Sequence, residues 1–123
     1  MNKIFGIPEK PETDTERFER YKNKLIAIIH AQLSGCKIYL FGSRARGTHK
    51  AGADIDLALD AGSIIELSKI LKIYSDIDQT TIPVSVDLVD FNNTSAEMRS
   101  QIITEGVLWA SCNLDFCCLH NKK

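Results

Sequence analysis

The pattern that most restricts how this chain can fold is a pair of short strand-like stretches, each ending in polar chemistry. Residues 36–41 (Cys-Lys-Ile-Tyr-Leu-Phe) are apolar, aromatic and β-branched, and they run straight into Gly42-Ser43. Ten residues later Asp54, Asp56, Ala58 and Asp60 alternate with Ile55, Leu57 and Leu59. That period of two predicts a strand with one polar face and one face packed on a core, so Asp54 and Asp56 point the same way. A third apolar run, Val84-Ser85-Val86-Asp87-Leu88-Val89, reads as a strand over 84–91 interrupted by one carboxylate.

Helical stripes separate these strands. Thr13 with Glu16 forms a capping-box pattern, followed by Phe18, Tyr21, Leu25, Ile28, Ile29 and Leu33 at helical spacing as far as Ser34-Gly35. Ser63 with Glu66 repeats the signature ahead of Ile64, Leu67, Leu71 and Tyr74, predicting a helix to about Asp78. Thr94 with Glu97 predicts a last helix bearing Met98 and Ile102, stopped at Glu105-Gly106. The expected order is helix, strand, strand, helix, strand, helix. Residues 1–12, with Pro8 and Pro11, read as a flexible N-terminal arm, 13–110 as one domain and 111–123 as a tail.

A chain of 123 residues suits one domain. Fifteen basic residues against sixteen acidic ones leave no broad positive surface, which argues against stable binding of duplex nucleic acid. No apolar run approaches the roughly 20 residues of a membrane span, and no leader precedes a cleavage site, so a cytoplasmic protein is expected. Cys36, Cys112, Cys117 and Cys118 show no zinc-type spacing and are expected to be free thiols.

The chemistry concentrates in the two strand ends. Gly42 lacks a Cβ, so a phosphate can approach the backbone, and Ser43 offers a hydroxyl and an N–H at the start of a short helical turn through Arg44-Ala45-Arg46. A plain strand-to-helix turn with a serine cap would look the same in isolation. Asp54 and Asp56, two residues apart on a strand, have Cα atoms about 6.5–7 Å apart and can grip a hard cation such as magnesium. A solvated polar face is the alternative, less comfortable for two carboxylates because aspartate is depleted in strands. Asp87 adds weight: an unpaired charge within a central strand would cost several kcal/mol, and a metal is one partner that removes the cost. Two carboxylates near 4 Å repel by about 4 kcal/mol at an effective dielectric of 20, which a divalent ion reverses. Arg44, Arg46, His49 and Lys50 place positive charge in the intervening loop, and Arg46 is the favoured phosphate ligand. His30, Asp60, Asp90 and His120 are read as structural or solvated.

Phe41-Gly42-Ser43-Arg44-Ala45-Arg46-Gly47 with Asp54-Ile55-Asp56-Leu57 resembles the DNA polymerase β-like nucleotidyltransferase superfamily, most closely its minimal nucleotidyltransferases, over residues 13–110. The resemblance implies an α+β nucleotidyltransferase fold, a small mixed β-sheet with α-helices packed on one face. It implies that Gly42, Ser43 and Arg46 hold a nucleoside triphosphate, that Asp54, Asp56 and Asp87 are catalytic and bind two Mg2+ ions, and that ATP is the substrate. Larger relatives carry further domains for the acceptor, so a partner chain is expected here, in a homo- or hetero-oligomer. Minimal members resemble antitoxins that pair with HEPN-domain toxins, some transferring AMP to a tyrosine of the toxin. Two alternatives stand beside that expectation: an antitoxin that neutralises by contact alone, and a transferase acting on a small hydroxylated molecule.

Overall fold

A computed structural model describes residues 11–111; the expected arm over 1–10 and the tail over 112–123, with Cys112, Cys117, Cys118 and His120, lie outside the described residues. The first helix, α1 (Asp14–Gln32), starts where the capping box predicts. Thr13 Oγ1 accepts from the Glu16 N–H at 3.1 Å, and Glu16 Oε1 accepts from the Thr13 N–H at 2.9 Å. Strand β1 (Lys37–Phe41) leads into the one-turn helix α2 (Ser43–Arg46), followed by β2 (Ile55–Asp60) and α3 (Leu67–Asp78). Then come β3 (Val86–Asp90), a 3-10 turn (Phe91–Asn93), α4 (Ala96–Glu105) and β4 (Val107–Ala110).

The four strands form one mixed sheet in the order β3-β2-β1-β4. β1 runs antiparallel to both β2 and β4, while β2 and β3 are parallel, joined through α3. Period-two alternation divides the side chains between the faces. Ile38, Leu40, Ile55, Leu57, Leu59 and Val86 form the main core with Leu25 and Ile29 of α1 and Ile73 and Ile77 of α3. On the opposite face Phe41 and Ala58 meet Ile102 of α4, with Tyr39, Val89, Phe91 and Met98 packed around them. The Tyr39 and Phe91 rings stack there at 5.9 Å. Ala58, expected on a polar face, is therefore fully buried, while Asp56 and Asp60 on either side of it are partly exposed.

Four local expectations are corrected. The third strand is an edge rather than a central strand. The α3 helix begins at Leu67, because the Ile65 N–H donates to Asp90 Oδ2 at 2.8 Å and holds the preceding residues extended against β3. Its N-cap, Glu66, makes no side-chain capping bond. The α4 cap is Ser95, whose Oγ accepts from the Met98 N–H at 3.0 Å, one residue beyond the predicted Thr94. Strand β4 was not expected at all; four residues with Val107 and Leu108 exposed carry too little alternation to signal a strand.

Gly106 is what lets α4 turn directly into β4. Its N–H donates to the Ile102 carbonyl at 2.8 Å, and a Cβ there would collide with that carbonyl oxygen and lie 3.2 Å from the Leu40 carbonyl oxygen. Gly106→Ala is expected to destabilise the fold by about 1–3 kcal/mol, the usual range for forcing extra volume into a packed site, and chemical denaturation would measure it.

Candidate active site

The sheet register lines up the residues that the sequence singles out. Phe41 pairs with Asp56 across the antiparallel ladder, and Asp56 pairs with Asp87 across the parallel one. The end of β1, the Asp56 carboxylate and the Asp87 carboxylate thus form one row over three neighbouring strands. Directly after Phe41 the chain turns at Gly42, with φ +78° and ψ −157°, a conformation open in practice only to glycine. A Cβ on Gly42 would lie 2.5 Å from Asp56 Oδ2, so the carboxylate occupies the space a side chain would need.

From that turn α2 winds a single time. The Gly42 carbonyl accepts from the N–H groups of Ala45 at 3.1 Å and Arg46 at 3.2 Å. Gly47, left-handed at φ +77°, ends the helix, with the Thr48 N–H closing on the Ser43 carbonyl at 3.0 Å. The first N–H groups of such a turn have no intrahelical acceptor.

Asp54 stands one residue ahead of β2 rather than within it and is exposed. The ladder starts only at Ile55, whose N–H donates to the Ser85 carbonyl at 2.9 Å. Asp87 is exposed on the edge strand, which corrects the expectation of a charge buried within a central strand: no desolvation cost demands a metal at Asp87. Its place beside Asp56 comes from register. Asp56 is the partly buried member of the trio, and its pKa is raised from the ordinary aspartate value. Burial is the largest cause, followed by the negative charges of Asp87 and Asp54, while Arg46 opposes the shift. Asp56 thus sits beside two like charges with Arg46 opposing them, an arrangement that suits a hard cation with oxygen ligands. Among the described residues no group of three or more histidine, cysteine, aspartate or glutamate side chains is placed to hold a metal ion as it stands.

The basic residues of the loop divide by role. Arg46 reaches across to α4, its Nη1 3.3 Å from Glu105 Oε1, which keeps the guanidinium on the face that carries Asp56. Nothing in the sequence pattern marked Glu105; only the close passage of α4 into β4 beside β1 brings it there. Arg44 is structural, donating from Nε to the Ala53 carbonyl at 2.9 Å and lying over the Phe18 ring at 4.9 Å. His49 and Lys50 are exposed, and His49 lines a separate groove beside α1.

The remaining polar residues brace the frame. Asp60 Oδ1 accepts from the Gly62 N–H and from Asn92 Nδ2, at 2.9 and 2.8 Å. Asp90 caps the 3-10 turn through the Asn92 N–H at 3.1 Å. His30 Nε2 bonds the Cys36 carbonyl oxygen at 2.8 Å. Burial pushes the Cys36 thiol up to about 12, so it is inert at neutral pH.

A family model described as polymerase beta, nucleotidyltransferase, matches residues 23–113. The protein adenylyltransferase MntA of Shewanella oneidensis (strain MR-1) is 33% identical over 98 residues, spanning 73% of this chain and 66% of that protein. A crystal structure of a toxin–antitoxin with AMP-PNP superposes with a TM-score of 0.64 at 27% identity, covering 76% of both chains. A crystal structure of the toxin–antitoxin MntA-HepT superposes with a TM-score of 0.55 at 25% identity, covering 85% of this chain and 81% of that one. No helix among the described residues is long and apolar enough to cross a membrane.

Gly42→Ala is expected to displace the Asp56 carboxylate and to impose a strained backbone together, costing about 1–3 kcal/mol of stability on backbone grounds alone. Thermal melting checks this. Asp56→Asn should act in the opposite direction. A carboxyl raised on folding binds more protons in the native state, so wild-type stability falls as pH rises from the ordinary aspartate range through the raised value. The neutral variant escapes that loss: it should melt above wild type at pH 7, and the gap should close as the pH is lowered into the carboxylate range.

Proposed function

Because this chain belongs to the polymerase β nucleotidyltransferase family, we propose that it transfers AMP from ATP to a tyrosine hydroxyl of a partner HEPN-domain toxin and so acts as an antitoxin. The observation that carries the reading is the row Phe41, Asp56, Asp87 paired across three adjacent strands, with the Gly42-Ser43 turn directly after Phe41 at one end and a solvent-facing carboxylate at the other. The similar MntA is named a protein adenylyltransferase, and the similar toxin–antitoxin structure holds AMP-PNP, which supports the choice of ATP and of a protein acceptor.

Each residue has a definable task. The Ser43 hydroxyl and the first N–H groups of α2 bond the β- and γ-phosphates, with Arg46 releasing part of its hold on Glu105 to meet their charge. Asp54, Asp56 and Asp87 would hold two magnesium ions, which would offset the triphosphate charge and favour ionisation of the acceptor hydroxyl. Asp87, exposed on the edge strand, faces the acceptor and takes up its proton. The hydroxyl oxygen then bonds to the α-phosphorus in line with the departing bridging oxygen, the bond to that oxygen breaks, and pyrophosphate leaves. Ser43 and Arg46 stabilise the charge that builds on it.

The test is the intact mass of the HEPN-domain partner after incubation with this chain, magnesium and ATP, beside Asp54→Asn/Asp56→Asn. The expected result is the added mass of AMP on a tyrosine, lost in the double variant. A stable complex without added mass would instead indicate neutralisation by contact. Absence of both would point to a small-molecule acceptor.

A further inference from the structure

Glu105 stands where local forces disfavour an acid. It is the last residue of α4, at the negative end of the helix dipole, and the last turn of that helix holds no basic residue to offset it. The offset comes from across the fold: Glu105 Oε1 lies 3.3 Å from Arg46 Nη1, 59 residues away in sequence. Among the described residues no other acceptor bonds that guanidinium. We propose that Glu105 is a positioning residue that competes with the β- and γ-phosphates for Arg46, and so limits how tightly the site holds both the triphosphate and the departing pyrophosphate. The inference rests on the reading of Arg46 as a phosphate ligand.

The backbone on each side of the contact is fixed. Gly106, directly after Glu105, donates its N–H to the Ile102 carbonyl at 2.8 Å, and β4 then pairs Val107 with Leu40, two residues before Gly42. Arg46 closes the single turn of α2, its N–H bound to the Gly42 carbonyl at 3.2 Å. Exchange of Arg46 between Glu105 and a phosphate at the Ser43 turn thus calls for side-chain rotation rather than a shift of either strand. The contact is also solvated, with the Arg46 and Glu105 side chains 44% and 41% exposed, so it adds little to stability and is weak enough to give way. A triphosphate carries more charge than one carboxylate and wins the guanidinium, but each exchange gives up the Glu105 pair, and the net hold on the ligand falls accordingly. The contested cation stands at the site, close enough to Asp56 to oppose its shift. Its neighbours have other partners or places: Arg44 is bound to the Ala53 carbonyl, and His49 lines the groove beside α1.

The experiment measures calorimetric binding of ATP and of inorganic pyrophosphate, each with magnesium, to wild type, Glu105→Gln, Arg46→Gln and the double variant. Glutamine keeps the size of the side chain and removes its charge, so the fold should persist, and melting would verify it. E105Q is expected to bind both ligands about three- to sixfold tighter, the factor for releasing one surface ion pair. Glu105→Ala, which removes the acceptor as well, should tighten binding at least as much, while R46Q should weaken it. In the R46Q background the gain from E105Q should fall below about twofold, the residue left by removing one screened charge. Unchanged or weaker binding in E105Q, or the same gain with and without Arg46, would overturn the inference. Wild-type affinity in R46Q would overturn the phosphate role of Arg46 and the inference with it. AMP transfer to the HEPN-domain partner is read in parallel. A wild-type chain that binds both ligands with the expected coupling but transfers nothing upholds the inference and overturns only the reading of the acceptor.

Discussion

The contact between Gly42 and Asp56 is the constraint on which the site depends. A carboxylate oxygen lies 2.5 Å from where the Cβ of any other residue at 42 would stand. The same position takes a backbone conformation that only glycine adopts without strain. Two independent requirements, room and backbone freedom, thus fall on one residue. Satisfying them folds the chain sharply from β1 into α2 and sets the turn directly over the middle carboxylate. If the turn were wider, Ser43 and Arg46 would stand farther from Asp56.

The two faces of the sheet have different duties. Helices α1 and α3 cover one face and make the main core with it. On the other face α4 and the 3-10 turn bury the region around Ala58 and Ile102 and leave the Asp56 end uncovered. One strand, β2, therefore carries packing at its C-terminal half and chemistry at its start. The positive charge of Arg46 is held at that open end by Glu105, from the helix that makes the smaller core. The site is polar because it begins where the second core stops, and Asp56 is raised because it sits at that boundary, partly desolvated and beside two like charges.

Much of this was legible from the residues. The capping box at Thr13, the alternation from Ile55 to Asp60 and the small-residue turn at Gly42 are local signals, each fixed by the covalent geometry of a few neighbours. They located the first helix, two strands and the turn. The signals that misled were local patterns overridden by distant partners. Ser63 and Glu66 have the spacing of a cap, but Asp90, 25 residues away, takes the Ile65 N–H and keeps the chain extended. Val84–Val89 has the composition of a central strand, yet its place at the edge depends on which strands pair, and composition does not encode that.

What the sequence determined by itself is the inventory: carboxylates two residues apart on alternating backbone, a glycine-serine turn at a strand end, and apolar stripes long enough to cover a sheet, because period and residue type act over a few bonds. What only the tertiary structure decided is who stands beside whom. The register that sets Asp87 next to Asp56, the edge position that leaves Asp87 exposed, and the crossing of α4 that brings Glu105 to Arg46 all arise from pairings between segments far apart in the chain. Those pairings are chosen by the packing of the whole core rather than by any one segment.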